Sequence, residues 1–396
     1  MYDVIVIGAR CAGSPTAMLF ARQGYRVLLL EKATFPQDTL SSHYIHMQGM
    51  GLLSRWGLLD KLRDAGCRPI TKQSYQGPGV RIEGFSLPVD GLRHTYAPRR
   101  YVLDPLLAEG AVEAGVDFRQ GCAVKDLLWE DERVTGVRYS TPGGTETTER
   151  ARLVVGADGM RSLVARKTGA PNVIEHARVS CTYYSYWAGV PSHFELYERP
   201  GRWIGVIPTN DDLTLLMTYF PQDEYQQVRK GVEPFYLDSF RSTAPELYER
   251  MRAGERVEQL YGTGHQENYF RKAYGPGWVL VGDAVNHKDS ITARGITEAF
   301  VQAHTLTEYI GGQLHDERAL AAALRRYENN LSGEALSHYQ GALNVAELKP
   351  QGRVDMLQKL VGHQEHIDRY FSTLSGACSI DDFYNDDLLT LLDSAE

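Results

Sequence analysis

The 396-residue sequence has no apolar run near the roughly 20 residues that a membrane-spanning helix needs. Its five cysteines are odd in number and scattered without metal-ligand spacing, which predicts reduced thiols, no metal site and a cytoplasmic protein. No signal peptide is expected, because an apolar strand begins almost at the first residue. Internal repeats and low-complexity tracts are also missing.

Basic residues are fewer than acidic ones, with 42 Lys and Arg against 50 Asp and Glu. The net charge of −8 at pH 7 argues against nucleic acid or an anionic membrane as a main partner. A hydrophobic content of 43% and a charged content of 23% are ordinary for a globular protein, and the length allows two or three domains. The unusual figure is 23 tyrosines, some of which could line a pocket for a flat or apolar ligand.

The first thirty residues have the pattern of a strand, a glycine turn, a helix and a second strand. Residues 4–7 are apolar and β-branched, Gly8 opens the turn, residues 12–22 predict a helix, and a strand at residues 26–30 ends on Glu31. A helix N-terminus offers N–H groups to a pyrophosphate, and a carboxylate at the next strand tip accepts hydrogen bonds from ribose hydroxyls. This βαβ unit therefore predicts a dinucleotide site.

The glycine turn departs from the usual dinucleotide fingerprint. Residues 8–13 read GARCAG, so Arg10 replaces the second glycine. Arg10 either points its side chain away from the ligand or adds a guanidinium to the phosphate site. Cys11 either has a lowered pKa at the helix N-terminus or is a small packed residue, and we favour the second interpretation.

Two later apolar strands also end in glycine and aspartate. One leads into residues 156–159 (GADG), which contain Asp158, and the other leads into Gly282 and Asp283. Open α/β sheets bind ligands at the carboxyl ends of their strands. Both aspartates are therefore expected to contact a ligand, to cap the helix that follows, or to do both.

These three motifs, in this order, resemble those of the single-Rossmann FAD-dependent oxidoreductases. That group comprises flavin monooxygenases of the aromatic-hydroxylase type, geranylgeranyl reductases and flavin-dependent halogenases. The resemblance extends over about residues 1–310 and implies an α/β fold, in which a Rossmann-like FAD-binding domain carries an inserted antiparallel β-sheet substrate domain and a helical C-terminal region. The predicted limits are 1–75, 99–175 and 275–315 for the FAD-binding domain, 76–98 and 176–274 for the substrate domain, and 316–396 for the helical region.

The resemblance also implies roles for individual residues. Glu31 would hold the adenosine ribose, Asp158 would support the flavin site, and Asp283 would hydrogen-bond the ribityl chain. Arg100 would reach back to the FAD, and the backbone of Val124 would meet the adenine. The predicted cofactor-binding residues are Gly8, Arg10, Cys11, Ala12, Gly13, Glu31, Lys32, Ser42, His43, Arg100, Val124, Asp158, Asp283, Thr292, Ala293 and Gly295.

The loop at residues 286–295 is expected to pass beside the isoalloxazine ring, where its backbone N–H groups could stabilise negative charge. Hydroxylases usually carry a proline near position 290, whereas this chain has Ser290 and looks closer to the reductase-like branch. Ser290 and His43 are the predicted catalytic residues. His43 or His46, in the loop after Glu31, would relay protons or orient a substrate, unless both are structural.

Residues 178–220 alternate like an antiparallel sheet and are rich in aromatic side chains. Strand aromatics are more often core residues than ligand contacts. Alternation places about half of them on each face of the sheet, so two or three are expected to touch the substrate. The predicted substrate contacts are Tyr183, Trp187 and Tyr219.

Halogenases typically show a Trp-x-Trp-x-Ile-Pro signature and a catalytic lysine. Residues 203–208 read WIGVIP, so Gly205 replaces the second tryptophan, and no lysine occupies an obviously matching place. Halogenation is therefore less favoured than the other activities of the group.

The resemblance implies an FAD-dependent monooxygenase, with a place in secondary metabolism. NAD(P)H would reduce the FAD, O2 would form a C4a-hydroperoxide, and one oxygen would pass to an aromatic or electron-rich small molecule. Because the chain has no second nucleotide fingerprint, NADPH or NADH visits transiently or a separate flavin reductase supplies the electrons. The alternatives are a reductase or desaturase of the geranylgeranyl-reductase type, a halogenase, and a flavin- or ligand-binding protein without catalysis.

Overall fold

The structure is a computed structural model that describes residues 1–394. Over these residues the strands form three sheets, and helices dominate after residue 295. The strands are β1 (Tyr2–Ile7), β2 (Val27–Leu30), β3 (Lys72–Gly77), β4 (Val80–Phe85), β5 (Asp117–Arg119), β6 (Ala123–Glu130), β7 (Arg133–Ser140), β8 (Glu146–Gly156), β9 (Asn172–His176), β10 (Ser180–Ala188), β11 (Phe194–Arg199), β12 (Arg202–Pro208), β13 (Thr214–Pro221), β14 (Glu255–Arg256), β15 (Tyr261–Thr263), β16 (Asn268–Arg271), β17 (Tyr274–Gly275), β18 (Trp278–Leu280) and β19 (Asn286–His287). The helices are α1 (Gly13–Arg22), α2 (Met47–Arg55), α3 (Leu59–Asp64), α4 (Arg100–Glu113), α5 (Leu163–Thr168), α6 (Tyr225–Val228), α7 (Val232–Thr243), α8 (Pro245–Ala253), α9 (Gly295–Ile310), α10 (Glu317–Asn330), α11 (Leu336–Ala346), α12 (Gln351–Leu360), α13 (Gln364–Ser375), α14 (Ile380–Phe383) and α15 (Asp386–Ser394).

The first sheet has a parallel centre, with the strand order β17-β18-β8-β1-β2-β5. β1 pairs in parallel with both β2 and β8, and β8 pairs in parallel with β18. α1 packs against β1 and β2 and contacts α4 and α9. Because the strands are covered by helices, they are almost continuously apolar and buried. The predicted βαβ unit is present, and its strands end at one edge of the sheet.

The second sheet has the order β14-β10-β13-β12-β11-β3-β4. Successive strands from β10 to β11 in this order are antiparallel, whereas β11 pairs in parallel with β3. One face packs against α7 and α8, and the other packs against side chains of α12, α13 and α15. This is the antiparallel insertion that the sequence predicts. The third sheet, β19-β16-β9, is small.

The C-terminal helices close the second sheet from one side. α12 and α13 both contact β4, and α12 also contacts α15. The second sheet begins at Lys72, four residues before the predicted start of the substrate domain at residue 76, and the predicted domain limits remain predictions.

The described part of the chain contains no membrane-spanning helix, no metal-binding cluster and no disulfide. Within residues 1–394, no helix is both long enough and apolar enough to cross a bilayer. In the same part of the chain, no group of three or more His, Cys, Asp or Glu side chains is placed to hold a metal ion. All five cysteines are free thiols.

Candidate functional site

The turn after β1 is so tight that two of its positions accept only glycine. Gly8 has a φ of +96°, and a Cβ at this position would lie 2.5 Å from the carbonyl oxygen of Ala157. A Cβ at Gly13, where α1 begins, would lie 1.7 Å from the carbonyl oxygen of Gly8. The turn is therefore packed directly against the end of β8, which allows the close approach that a dinucleotide-binding turn requires.

The three strand-end motifs meet at one cavity. Backbone hydrogen bonds of 2.9 Å join Ala157 to Ile7 and Val281 to Gly156, so the ends of β1, β8 and β18 lie side by side. A cavity of about 610 Å³, which we call the first cavity, opens at this edge. The motif carboxylates that line it are Glu31, Asp158 and Asp283.

Glu31 is held rigidly at the end of β2. Its Oε2 accepts a hydrogen bond from the N–H of Ala9 at 2.8 Å, and its Oε1 accepts one from the N–H of Ala33 at 2.9 Å. The residue is buried, but it still lines the first cavity. Each carboxylate oxygen can accept more than one hydrogen bond, so Glu31 is fixed in place and can still accept bonds from a pair of hydroxyl groups.

Arg10 lines the first cavity, and its side chain points toward the buried carboxylate of Asp104. Its Nη1 donates to Asp104 at 3.1 Å, and Arg100 donates to the same carboxylate through two bonds of 2.8 and 3.0 Å. Two guanidinium groups thus share one carboxylate, which leaves one net positive charge beside the glycine turn and favours binding of an anion there. The Cys11 thiol also donates to Asp104, and burial raises its pKa to about 12, in agreement with the small packed residue that we favour.

The two later aspartates differ in their surroundings. Asp158 accepts bonds of 2.6 Å from both the Ser162 hydroxyl and the Leu163 N–H, so it caps α5, and burial raises its pKa. The Asp283 side chain is exposed and makes no hydrogen bond within the described part of the chain. Capping therefore occupies Asp158, whereas Asp283 remains available to a ligand.

Most of the predicted cofactor residues line the first cavity, as does Ser290. Gly13, His43 and Thr292 do not line it, and Thr292 lines a second cavity instead. Those that line the first cavity are Gly8, Arg10, Cys11, Ala12, Glu31, Lys32, Ser42, Arg100, Val124, Asp158, Asp283, Ala293 and Gly295. Asn286 and Lys288, in the loop that the sequence predicts beside the ring, also line it, and lining residues that the sequence did not single out include Ser41, Arg166, Glu298 and Gln302.

His43 is fully buried behind a tyrosine of the second sheet. Its Nε2 lies 2.5 Å from the Tyr186 hydroxyl, and its Nδ1 has no hydrogen-bond partner among residues 1–394. Burial, together with the nearby Arg100 and Arg99, lowers the pKa of His43. Burial also lowers the pKa of His46, which lines the second cavity. Both imidazoles are therefore neutral at neutral pH.

Ser290 belongs to a chain of hydrogen bonds at the edge of the first cavity. Its hydroxyl donates to Gln266 Oε1 at 2.5 Å and accepts from the Tyr219 hydroxyl at 2.8 Å. Its backbone N–H also donates to Gln266 at 3.0 Å. The hydroxyl is therefore oriented by two side chains, Tyr219 on β13 and Gln266 in the loop between β15 and β16.

A second cavity, of about 990 Å³, lies between the second sheet and the C-terminal helices. The two cavities are adjacent, because Ala293 and Arg294 line both of them. Its apolar and aromatic lining includes Tyr44, Phe194, Leu196, Trp203, Ile207, Met217 and Tyr370.

None of the three predicted substrate contacts lines either cavity, and two of them lie on the wrong face of the second sheet. Tyr183 and Trp187 lie on the opposite face of the second sheet, in the core formed with α7 and α8, and Trp187 donates to the Tyr236 hydroxyl at 3.1 Å. Tyr184 and Tyr186 lie on the other face, which packs against the C-terminal helices, because neighbouring residues of a strand alternate between faces. Tyr219 is also on that side, where its ring packs at 5.4 Å against Trp203, but it lines neither cavity.

A buried ion pair in the lining of the first cavity was not anticipated from the sequence. Lys288, in the loop after β19, pairs with Glu298 on α9, and both side chains are at most 10% exposed. Burial would raise the pKa of Glu298, but Lys288 and Arg294 outweigh it and lower the pKa. The helical spacing of Glu298 carries no sign of this partner, so the sequence alone could not reveal the pair.

The comparisons with known proteins agree with this geometry. A family model described as "FAD binding domain" matches residues 1–334. The chain is 26% identical over 313 residues to a 1H-pyrrole-2-carbonyl-[peptidyl-carrier protein] brominase of Pseudoalteromonas luteoviolacea, which covers 75% of this chain and 74% of that protein. It is 24% identical over 396 residues to digeranylgeranylglycerophospholipid reductase 1 of Methanopyrus kandleri, which covers 94% of this chain and 97% of that protein.

A solved structure with the same fold is that of PqsL of Pseudomonas aeruginosa, described as a probable FAD-dependent monooxygenase. Its TM-score is 0.72 at 20% identity, with 94% of this chain and 99% of that chain covered. The three proteins therefore carry the names of a brominase, a reductase and a probable monooxygenase.

Proposed function

The chain belongs to the FAD binding domain family and is an FAD-dependent oxidoreductase, and from this premise we propose that it is a monooxygenase. It would add one oxygen atom from O2 to an aromatic or electron-rich small molecule held in the second cavity. The observation that carries the proposal is the arrangement of the cavities. A large aromatic-lined cavity adjoins the first cavity at Ala293 and Arg294, so a flat substrate can lie next to the cofactor.

The residues of the first cavity fit FAD, and we assign them as follows. Glu31 would bind the ribose hydroxyls, the turn at Gly8 with Arg10 and Arg100 would bind the pyrophosphate, and Asp283 would bind the ribityl chain. Three observations support the fit: the rigidly held carboxylate, the net positive charge around Asp104, and the carboxylate of Asp283, which makes no hydrogen bond within residues 1–394. Bound FAD supplies the electron transfer and the reaction with O2.

The chain's own residues would orient the substrate, exclude water and manage protons. His43 lines neither cavity, so it would take part in proton handling only indirectly, through its hydrogen bond to Tyr186. Ser290 is suited to orient a polar group at the first cavity, because Tyr219 and Gln266 fix its hydroxyl. The aromatic lining of the second cavity would keep bulk water from the reacting atoms.

The electron donor is part of the proposal as well. The sequence has a single dinucleotide-binding turn, so either NAD(P)H visits transiently or a separate flavin reductase provides reduced flavin. Oxidation of NADH or NADPH by the purified protein, compared with and without an added reductase, separates these donors.

The test is the mass of the product. Purified, FAD-loaded protein is reduced under isotopically heavy oxygen gas with candidate aromatic substrates, and products are analysed by mass spectrometry. We expect a product that contains one heavy oxygen atom. A product that differs only by two hydrogens, and that forms without O2, contradicts the proposal.

Such a product would instead support the second candidate, a reductase of the geranylgeranyl-reductase type. The observation that favours it is similarity to the Methanopyrus reductase along 94% of this chain, including the C-terminal region. The brominase relative makes halogenation a third candidate, which adding bromide or chloride to the same assay would detect as a halogenated product. A Cβ at Gly205 would lie 2.9 Å from the Trp203 ring, so the second tryptophan of the halogenase signature does not fit here without rearrangement.

A further inference from the structure

An arginine of the C-terminal region reaches the second cavity while it is paired with a buried carboxylate of the sheet. Arg353, on α12, donates from Nε and Nη2 to the two oxygens of Glu198 at 3.0 and 2.6 Å. Glu198 is fully buried at its side chain and also accepts a bond of 3.0 Å from the Tyr75 hydroxyl. Arg353 lines the second cavity and is 24% exposed at its side chain.

The same strand, β11, carries a matched pair on its opposite face. Glu195 is bound by Arg250 through two bonds of 2.9 and 2.6 Å and accepts a third from the Tyr197 hydroxyl. Arg250 also donates to the Pro191 carbonyl, so both of its terminal nitrogens are engaged by the protein. This pair lines neither cavity.

Each arginine leaves one guanidinium nitrogen without a partner among residues 1–394, but only Arg353 lines a cavity. Nη1 of Arg353 has no hydrogen-bond partner within residues 1–394, whereas Nε and Nη2 are engaged by Glu198. Because that nitrogen belongs to a side chain lining the second cavity, it is a donor that a ligand can satisfy. The pair with Glu198 fixes the plane of the guanidinium and therefore the direction of this donor.

A second donor lies in the same part of the cavity. Tyr370, on α13, lines the second cavity, is 5% exposed, and packs edge-on against Tyr75 with ring centroids 6.5 Å apart. Its hydroxyl makes no hydrogen bond to any other described residue. The hydroxyl of a nearly buried tyrosine usually has a partner, so this one is available to a polar atom of a ligand in the cavity.

We propose that Arg353 and Tyr370 form a subsite for a neutral hydrogen-bond acceptor, a carbonyl or hydroxyl oxygen, on the molecule that occupies the second cavity. The inference rests on the proposed function only in treating that cavity as the substrate cavity. A neutral acceptor is favoured because Glu198 already neutralises Arg353. A carboxylate ligand would bring a second negative charge beside a fully buried one.

The test uses three ligands that share one fused aromatic ring system: methyl naphthyl ketone, ethylnaphthalene and naphthoate. Their dissociation constants for the FAD-loaded full chain are measured by equilibrium dialysis. We expect the ketone to bind about tenfold more tightly than the hydrocarbon, as for a buried hydrogen bond that would otherwise be unmade. Naphthoate should bind more weakly than the ketone.

Two variants and a control locate the effect. Tyr370→Phe removes one hydroxyl, and the pair Arg353→Met with Glu198→Gln removes the guanidinium without leaving an unpaired buried charge. Both should abolish most of the preference for the ketone and leave the affinity for ethylnaphthalene unchanged. The control pair, Arg250→Met with Glu195→Gln, should keep the preference.

The proposal is wrong if none of the three ligands binds, if naphthoate binds most tightly, or if the ketone preference persists in Tyr370→Phe and in the Arg353 pair. Binding is measured without turnover. A protein that prefers the ketone as expected but forms no oxygenated product would therefore contradict the proposed function and leave the subsite standing.

Discussion

Replacing Glu31 by glutamine should weaken FAD binding by about 10- to 100-fold, which corresponds to about 1.4–2.8 kcal/mol. The variant keeps the shape of the side chain but loses the charge, and hydrogen bonds to charged groups are worth about 1.5–3 kcal/mol each. A glutamine has one acceptor oxygen, whereas the N–H groups of Ala9 and Ala33 each engage a separate oxygen of Glu31. One of the two N–H groups would then face an NH2 group, so the free energy of unfolding should also fall by about 1 kcal/mol.

The affinity is measured by titrating the apoprotein with FAD and following the quenching of flavin fluorescence. Asp3→Asn is the matched control, because Asp3 accepts a backbone hydrogen bond of 2.8 Å from Arg26, which precedes β2, at the opposite end of the β1–β2 pair. It removes a carboxylate–amide bond from the same two strands and should leave FAD affinity unchanged. Equal FAD affinities of Glu31→Gln and Asp3→Asn would refute the assignment of Glu31 to the ribose.

The other predictions concern the second cavity and the buried imidazoles. Trp203→Phe should raise the substrate KM several-fold, whereas Trp187→Phe, on the other face, should leave KM unchanged and cost about 1 kcal/mol in urea unfolding, because it loses one buried hydrogen bond. Tyr186→Phe should lower kcat by about 10- to 100-fold, because His43 loses the hydroxyl that orients it, while FAD affinity stays within about twofold; an unchanged kcat would exclude this proton-handling role. Burial, with nearby Arg294, lowers the pKa of His338 to about 4, so its contribution to stability is complete above about pH 6.5 and is lost as the pH falls toward 4. His338→Gln should therefore flatten the fall of Tm between those pH values, and an unaltered slope would contradict the burial effect.

The parts of the fold that the sequence could predict are those that local patterns determine. The apolar runs that end in glycine and aspartate predict parallel strands, and parallel strands bring their carboxyl ends to one edge. This is why the carboxylates of the three motifs could be placed together in advance.

The parts that could not be predicted depend on contacts between distant segments. Alternation along β10 separates Tyr183 and Trp187 from Tyr184 and Tyr186, but it does not say which pair faces the cavity. That choice is made by α7, which lies more than forty residues later and covers the other face.

The charged pairs show the same limit. Glu198 and Arg353 are separated by 155 positions, and no local signal connects them. The same holds for His43 and Tyr186, which are 143 positions apart. Spacing could therefore indicate where a cofactor lies, but it could not identify the side chains that surround a substrate.

The most direct test is a crystal structure of the protein with FAD bound. We expect the coenzyme to extend through the first cavity, with its ribose at Glu31, its pyrophosphate at the turn after β1 and its isoalloxazine ring beside Ala293, facing the second cavity. A structure in which FAD binds elsewhere, or in which the ring is separated from the second cavity, would contradict both the cofactor assignment and the proposed oxygenation.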